Sequence, residues 1–173
     1  MRRRMMQGPE KEKTDIEKFE MNKTETGDLE FRRLEPGDLD QTAILESVCF
    51  STPWKRKDFE DALTNVSTYL FYGAFEGERL AGQAGLVMTP PEADITNVAV
   101  DPAYRRRGIA LKLLSGLMEA GRALGIEDYT LEVRAGNEPA IALYEGLGFS
   151  EEGRRKNFYS NPVEDAVIMW KRR

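Results

Sequence analysis

The sequence predicts one α/β domain of the α+β kind, and three observations predict it. The elements run strand, two helices, three strands, helix, strand, helix, two strands, with no internal repeat. The three strands in the middle have connections too short for a crossover, which implies an antiparallel meander. At Arg107 the apolar period then changes from two to about 3.6, the mark of a long helix following strands.

Residues 1–28 carry seven Lys/Arg and seven Asp/Glu with few apolar positions. Such a composition cannot offset the entropy of ordering it, so a charged flexible tail is expected here and the domain is expected over 29–173. Leu29-Glu30-Phe31-Arg32-Arg33-Leu34 alternates as a half-buried strand does, and Pro36-Gly37-Asp38 supplies a turn and a helix start. The following helix, Leu39 to Val48, places Leu39, Ala43, Ile44 and Val48 on one face. A second short helix, Lys55 to Leu63, is amphipathic through Phe59, Ala62 and Leu63. Between them lies Phe50-Ser51-Thr52-Pro53-Trp54.

Strands are expected at Tyr69 to Phe75, at Arg79 to Met88 after the turn Glu76-Gly77-Glu78, and at Ala93 to Val100 after Pro90-Pro91. The long helix carries Ala110, Leu114, Leu117, Gly121 and Leu124 along one stripe, with Gly125 suited to its C-terminal cap. Tyr129 to Arg134 reads as a strand. Asn137 opens a helix with Pro139 in its first turn and Gly148 at its end, and two final strands fall near Phe149 to Asn157 and Ala166 to Trp170.

Composition narrows the function classes. The net charge of −5 is unfavourable for general nucleic-acid binding and mildly attractive to a basic or amine-bearing partner. No window reaches the roughly 20 consecutive apolar residues of a membrane helix, and the basic start lacks the apolar stretch of a secretory signal. A cytoplasmic protein with neither nucleic acid nor membrane as partner is the expectation. Cys49 is the single cysteine, in an apolar stretch, so no internal disulfide forms and an inert core thiol is expected. Histidine is absent, which excludes Ser-His and Cys-His catalysis, a His general base and imidazole zinc sites. No metal is expected.

The decisive segment is Asn97-Val98-Ala99-Val100-Asp101-Pro102-Ala103-Tyr104-Arg105-Arg106-Arg107-Gly108-Ile109-Ala110. A buried strand passes through a turn and a basic, glycine-containing loop directly into the long helix. Amides at a helix N-terminus lack intrahelical acceptors and sit at the positive end of the helix dipole, so a phosphate docks there favourably. Gly108 removes a side chain that would hold it away. Arg105, Arg106 and Arg107 assist, unless they are only a solvated basic cap. Neither G-x-G-x-x-G nor G-K-[S/T] is present, so a Rossmann or Walker site is not indicated.

The segment resembles the acyl-CoA pyrophosphate loop of the GNAT superfamily, [Q/R]-x-x-G-x-[G/A], through Arg105-x-x-Gly108-x-Ala110. Thr130 to Phe149 is similar, without gaps, to the pattern L-E-V-R-x-x-N-x-x-A-x-x-L-Y-x-x-x-G-F of the RimI-type branch. The early loop Phe50 to Trp54, Asn157-Phe158-Tyr159 and Glu164-Asp165-Ala166-x-x-Met169 extend the likeness from about Leu29 to the C-terminus.

The resemblance implies the GNAT acyl-CoA N-acyltransferase fold, a mixed, mostly antiparallel central sheet flanked by helices. It implies acetyl-CoA as cosubstrate, held by Val98, Ala99, Val100, Arg105, Arg106, Arg107, Gly108, Ile109, Ala110 and Asn137, with strand amides near Val98 to Val100 as oxyanion donors. It implies Glu132 as general base and Tyr144 as general acid toward the coenzyme A thiolate. Alternation on the strand sets Glu132 opposite Leu131 and Val133, which is compatible with a carboxylate facing a cleft; a pairing with Arg134 or another nearby cation is its structural reading. Tyr144, at Ile141, Tyr144, Leu147 spacing, reads equally as a packing aromatic, and Asn137 as an N-cap.

The acceptor implied is a protein N-terminus, the alanine of the eighteenth small-subunit ribosomal protein, entering between Pro53-Trp54 and Phe158-Tyr159. A monomer or weak dimer is expected. Acetylation of a small amine and a non-catalytic acyl-CoA-binding module are the rival readings.

Overall fold

The computed structural model describes residues 28–173; the expected tail, 1–28, lies outside these residues apart from Asp28. Strands β1 (Leu29–Arg33), β2 (Tyr69–Glu76), β3 (Arg79–Thr89), β4 (Glu92–Val100), β5 (Asp128–Arg134), β6 (Ser150–Tyr159) and β7 (Glu164–Lys171) form one sheet in the order β1-β2-β3-β4-β5-β7-β6. The helices are α1 (Leu39–Cys49), α2 (Arg56–Thr64), α3 (Ile109–Ala123) and α4 (Glu138–Gly146). Every neighbouring pair of strands is antiparallel except β4 and β5. That exception follows from connectivity: β4 reaches β5 through the α3 crossover, long enough to return the chain in the same direction. The expected mixed sheet and element order are both present.

Each face of the sheet has its own core. On one face Ile109, Leu113, Leu114 and Leu117 of α3 pack with Leu70, Ala84, Leu86, Leu131, Val133 and Tyr144. On the other, Leu39 and Leu45 of α1 and Phe59, Ala62 and Leu63 of α2 pack against Phe71, Phe75 and Ala99. Burial of each such leucine or phenylalanine contributes about 1.5–3 kcal/mol.

Two apolar stripes differ from their sequence reading. In α1, Ile44 and Val48 are 63% and 58% exposed, and the buried residues are Leu39, Thr42, Leu45 and Glu46. The helix is turned so that polar side chains meet polar partners on β3 and β4, which hydropathy alone does not register. In α3, Leu124 falls past the helix end and is exposed, while Ile109, Leu113 and Met118 widen the buried face. Gly125 takes φ +89 just beyond that end, the left-handed conformation expected of it.

Candidate active site

The site grows from one break in the sheet. β4 and β5 pair in parallel only from Glu92↔Asp128 to Ile95↔Leu131. β4 continues to Val100 and β5 to Arg134 without pairing to each other. A bulge accompanies the divergence: on β3 Gly85 and Leu86 are consecutive, yet their β4 partners are Asn97 and Ile95, leaving Thr96 as the extra residue. Bulges bend the bulged strand and increase its twist. The edge of β4 from Thr96 to Val100 is therefore turned away from β5, and Glu132 is the first β5 residue beyond the last pair.

Glu132 is partly exposed and its Oε1 lies 2.9 Å from Nε of Arg155. Arg134, the partner considered from sequence, instead pairs with Glu164 at 3.4 Å and donates to the carbonyls of Ser160 and Pro162. Tyr144 is buried against Phe149 with ring centroids 5.9 Å apart. Burial, and secondarily Tyr159, push its hydroxyl up to about 12. Tyr159 is itself raised, by burial and then by the negative charge of Glu132. Tyr159 thus stands in the electrostatic reach of both expected catalytic groups.

Beside the opening, the segment from Val100 to α3 forms a groove of about 270 Å³. It is lined by Val100, Arg105, Arg106, Gly108, Ile109 and Ala110, all expected there, and by Pro139 and Leu143 of α4, which sequence reasoning did not include. Their apolar side chains carried no signal distinct from core packing. Arg106 and Gly108 both adopt left-handed backbone, φ +64 and +72. For Arg106 that costs on the order of 1 kcal/mol; such strain concentrates where a loop must present a ligand surface.

Among the described residues no side chain caps α3, and its first amides have no acceptor within the helix. A Cβ built on Gly108 meets nothing within 4 Å. Together these leave an uncapped, uncrowded helix end at the groove, which fits a pyrophosphate. The loop is held from behind: Asp101 accepts from Ala103 N–H and Arg79, both at 2.9 Å, and buried Tyr104 donates to Glu76.

The remaining expected residues are more scattered. Asn137 caps α4 through the Ala140 N–H, the local role read from sequence. Arg107 stacks its guanidinium 5.1 Å from the Tyr104 ring. Val98 is partly buried, and Ala99 belongs to the core on the α1 face. Pro53 is exposed, whereas Trp54 packs against Phe59, Tyr69 and Phe71. Phe158 is exposed and meets Tyr159 edge to face at 5.1 Å. Cys49 is half-buried instead of sitting in the core; it donates to the Val100 carbonyl at 3.5 Å, and burial pushes its thiol up. Among the described residues no cluster of His, Cys, Asp and Glu could hold a metal ion, and no helix is long and apolar enough to cross a membrane.

Comparison with known proteins meets this geometry. Residues 39–149 match the Acetyltransferase (GNAT) family. The ribosomal protein bS18-alanine N-acetyltransferase of Escherichia coli K12 is 38% identical over 127 residues, covering 72% of this chain and 84% of that protein. The N-alpha-acetyltransferase RimI of Mycobacterium tuberculosis is 38% identical over 121 residues, covering 68% and 74%. The crystal structure of the ribosomal-protein-S18-alanine N-acetyltransferase from Escherichia coli superposes with a TM-score of 0.77 at 35% identity, covering 83% of this chain and 93% of that one.

Proposed function

The chain belongs to the acetyltransferase (GNAT) family, and from that premise we propose that it acetylates the α-amino group of a protein N-terminus, the alanine that begins ribosomal protein bS18. It is an acetyl-CoA-dependent N-acetyltransferase. The acceptor follows the names of relatives at 38% identity. The single observation that carries the chemistry is the position of Glu132, the first residue past the end of β4–β5 pairing.

When bound, acetyl-CoA supplies an acetyl group activated as a thioester. The amides of the uncapped α3 end and the loop from Arg105 to Ala110 hold its pyrophosphate, and Asn137, the cap of the helix whose Pro139 and Leu143 line the groove, is a further cofactor contact. The unpaired edge of β4 near Val98 to Val100 supplies N–H donors for the oxygen on which negative charge develops. An N-terminal amine is mostly protonated at neutral pH, so a base must free its lone pair. Glu132, on the facing strand, takes that proton, directly or through water. Tyr144 is protonated at neutral pH and gives its proton to the departing thiolate. Pro53 and Trp54 on one side, and Phe158 and Tyr159 on the other, flank the approach of the peptide end. The enzyme works in the cytoplasm as a monomer or weak dimer, with neither a metal nor a nucleic acid taking part.

The test is intact-mass analysis of bS18, an alanine-initiated bS18 peptide and a panel of small amines after incubation with acetyl-CoA. One acetyl mass gained at the α-amino group of bS18 is expected. Turnover of small amines with none on the peptide would transfer the assignment to a small-molecule acetyltransferase.

A further inference from the structure

The turned face of α1 buries a carboxyl group. Glu46 is 2% exposed, and no Lys or Arg pairs with it among the described residues. Its Oε1 accepts from Asn97 Nδ2 at 2.8 Å and from the Trp54 N–H at 3.4 Å. Its Oε2 accepts from Gln83 Nε2 at 3.1 Å. Gln83 and Asn97 are buried too, and the oxygen of each side-chain amide, Oε1 of Gln83 and Oδ1 of Asn97, has no partner. Burial is the largest influence on the Glu46 carboxyl and pushes it up, against the three donors.

As a stabilising device this arrangement is poor. Burying a carboxyl group and leaving two amide oxygens without partners both oppose folding, and Ile44 and Val48 face solvent on the same helix. Departures of this kind from local sequence logic are expected where function requires them. The partners of Glu46 point to the requirement. Asn97 is next to the bulged Thr96, on the edge that leaves β5. Trp54 is in the early loop, 43 positions from Asn97 in sequence, and its N–H reaches the same carboxyl oxygen.

We propose that Glu46 is a positioning residue for acetyl transfer: its buried carboxyl fixes the freed edge of β4 and the early loop in one frame, so that thioester and amine meet at a set separation. This rests on the reading of those two segments as the thioester and amine sites. Glu46 touches neither reactant; it acts through Asn97 and the Trp54 amide.

The experiment combines amide hydrogen exchange with steady-state kinetics on the full chain. Glu46→Ala is expected to speed exchange at least about tenfold in 96–100 and 50–55 and to leave 109–123 unchanged, because only the first two segments hang on the carboxyl. Its kcat on an alanine-initiated peptide should fall on the order of 10²-fold, the scale of a 1 Å misplacement, with coenzyme A affinity kept within about threefold. Glu46→Gln should recover exchange and kcat to within about threefold, since its oxygen still accepts and its NH₂ donates to an orphaned amide oxygen. Leu45→Ala, in the same helix but with no hydrogen bond to either segment, measures what lost packing does alone.

Unchanged exchange in either segment of Glu46→Ala, an equal kinetic loss in Leu45→Ala, or a Gln variant as impaired as the Ala variant would each overturn the proposal. Should Glu46→Ala not fold, Asn97→Ala removes the β4 arm by itself, and unchanged exchange over 96–100 in that variant overturns it as well. A wild-type enzyme inert on the peptide would overturn the acceptor reading, while the exchange data still decide the positioning.

Discussion

Nε of Arg155 lies 2.9 Å from Oε1 of Glu132, so a guanidinium on β6 occupies the carboxylate proposed as the base for the amine. The two side chains are 58% and 32% exposed, and pairs this wet contribute about 0–1 kcal/mol. An incoming ammonium can therefore displace Arg155 at small cost. Arg155→Ala is expected to change unfolding free energy by less than about 1 kcal/mol and to lower the peptide KM by at most about fivefold, the same energy expressed as a ratio. Chemical denaturation and initial-rate kinetics measure both; a rise in KM would mean that Arg155 contacts the acceptor.

Glu132→Gln keeps the shape of the side chain and removes its basicity. Turnover should fall roughly 10²-fold or more, the usual contribution of a positioned base. Coenzyme A affinity by calorimetry should stay near wild type, because the groove at Val100 to Ala110 does not include Glu132. Unchanged turnover would reduce Glu132 to the partner of Arg155 in a surface ion pair.

Gly108 is required for its backbone and not for lack of room, since φ is +72 and a Cβ would meet open space. Gly108→Ala therefore favours a rotated loop by about 1–2 kcal/mol, which withdraws the α3 amides from the groove. The expected result is a coenzyme A dissociation constant raised about 5- to 30-fold, with the melting temperature little affected. Arg105→Ala should cost less, and that loss should shrink further as salt is added, because an exposed cation is screened and fixed amides are not.

Tyr144, held at about 12 by burial, titrates near 10 in an unfolded chain. The folded state therefore keeps its proton over a range in which the unfolded state has lost it. The resulting stabilisation is complete below about pH 10 and disappears as pH rises toward 12, a change on the order of 2–3 kcal/mol. Denaturation from pH 9 to 12 should show this decline in the wild type and a flatter curve in Tyr144→Phe. The same variant should lose turnover at neutral pH if the hydroxyl protonates the leaving thiolate.

The site was legible in sequence where its parts are local and hidden where they depend on distant partners. Strand, left-handed loop and helix from Asn97 to Ala110 are contiguous, and Glu132, Asn137 and Tyr144 fall within one short stretch, so spacing and the GNAT resemblance could nominate them. The bulge at Thr96 and the end of pairing at Ile95 and Leu131 depend on how separate strands meet, which no local period encodes. The inward face of α1 failed for the same reason. Ile44 and Val48 outrank Thr42 and Glu46 in hydropathy, yet hydrogen bonds to residues 37 and 51 positions away decide the rotation of the helix.

Glu46 also yields a stability prediction with a definite sign. Its folded-state carboxyl is raised above the unfolded value, chiefly by burial, so the native chain binds the proton more tightly than the unfolded one. The stabilisation from this group is complete below about pH 4.3, the unfolded value, and is lost as pH rises through the folded one. Above that folded value the wild type carries the cost of the buried charge, whereas Glu46→Gln has no proton to lose. The variant should gain melting temperature relative to wild type between pH 4 and pH 7.5. Parallel melting curves across that range would mean that the donors from Asn97, Gln83 and Trp54 fully offset the desolvation of the charge.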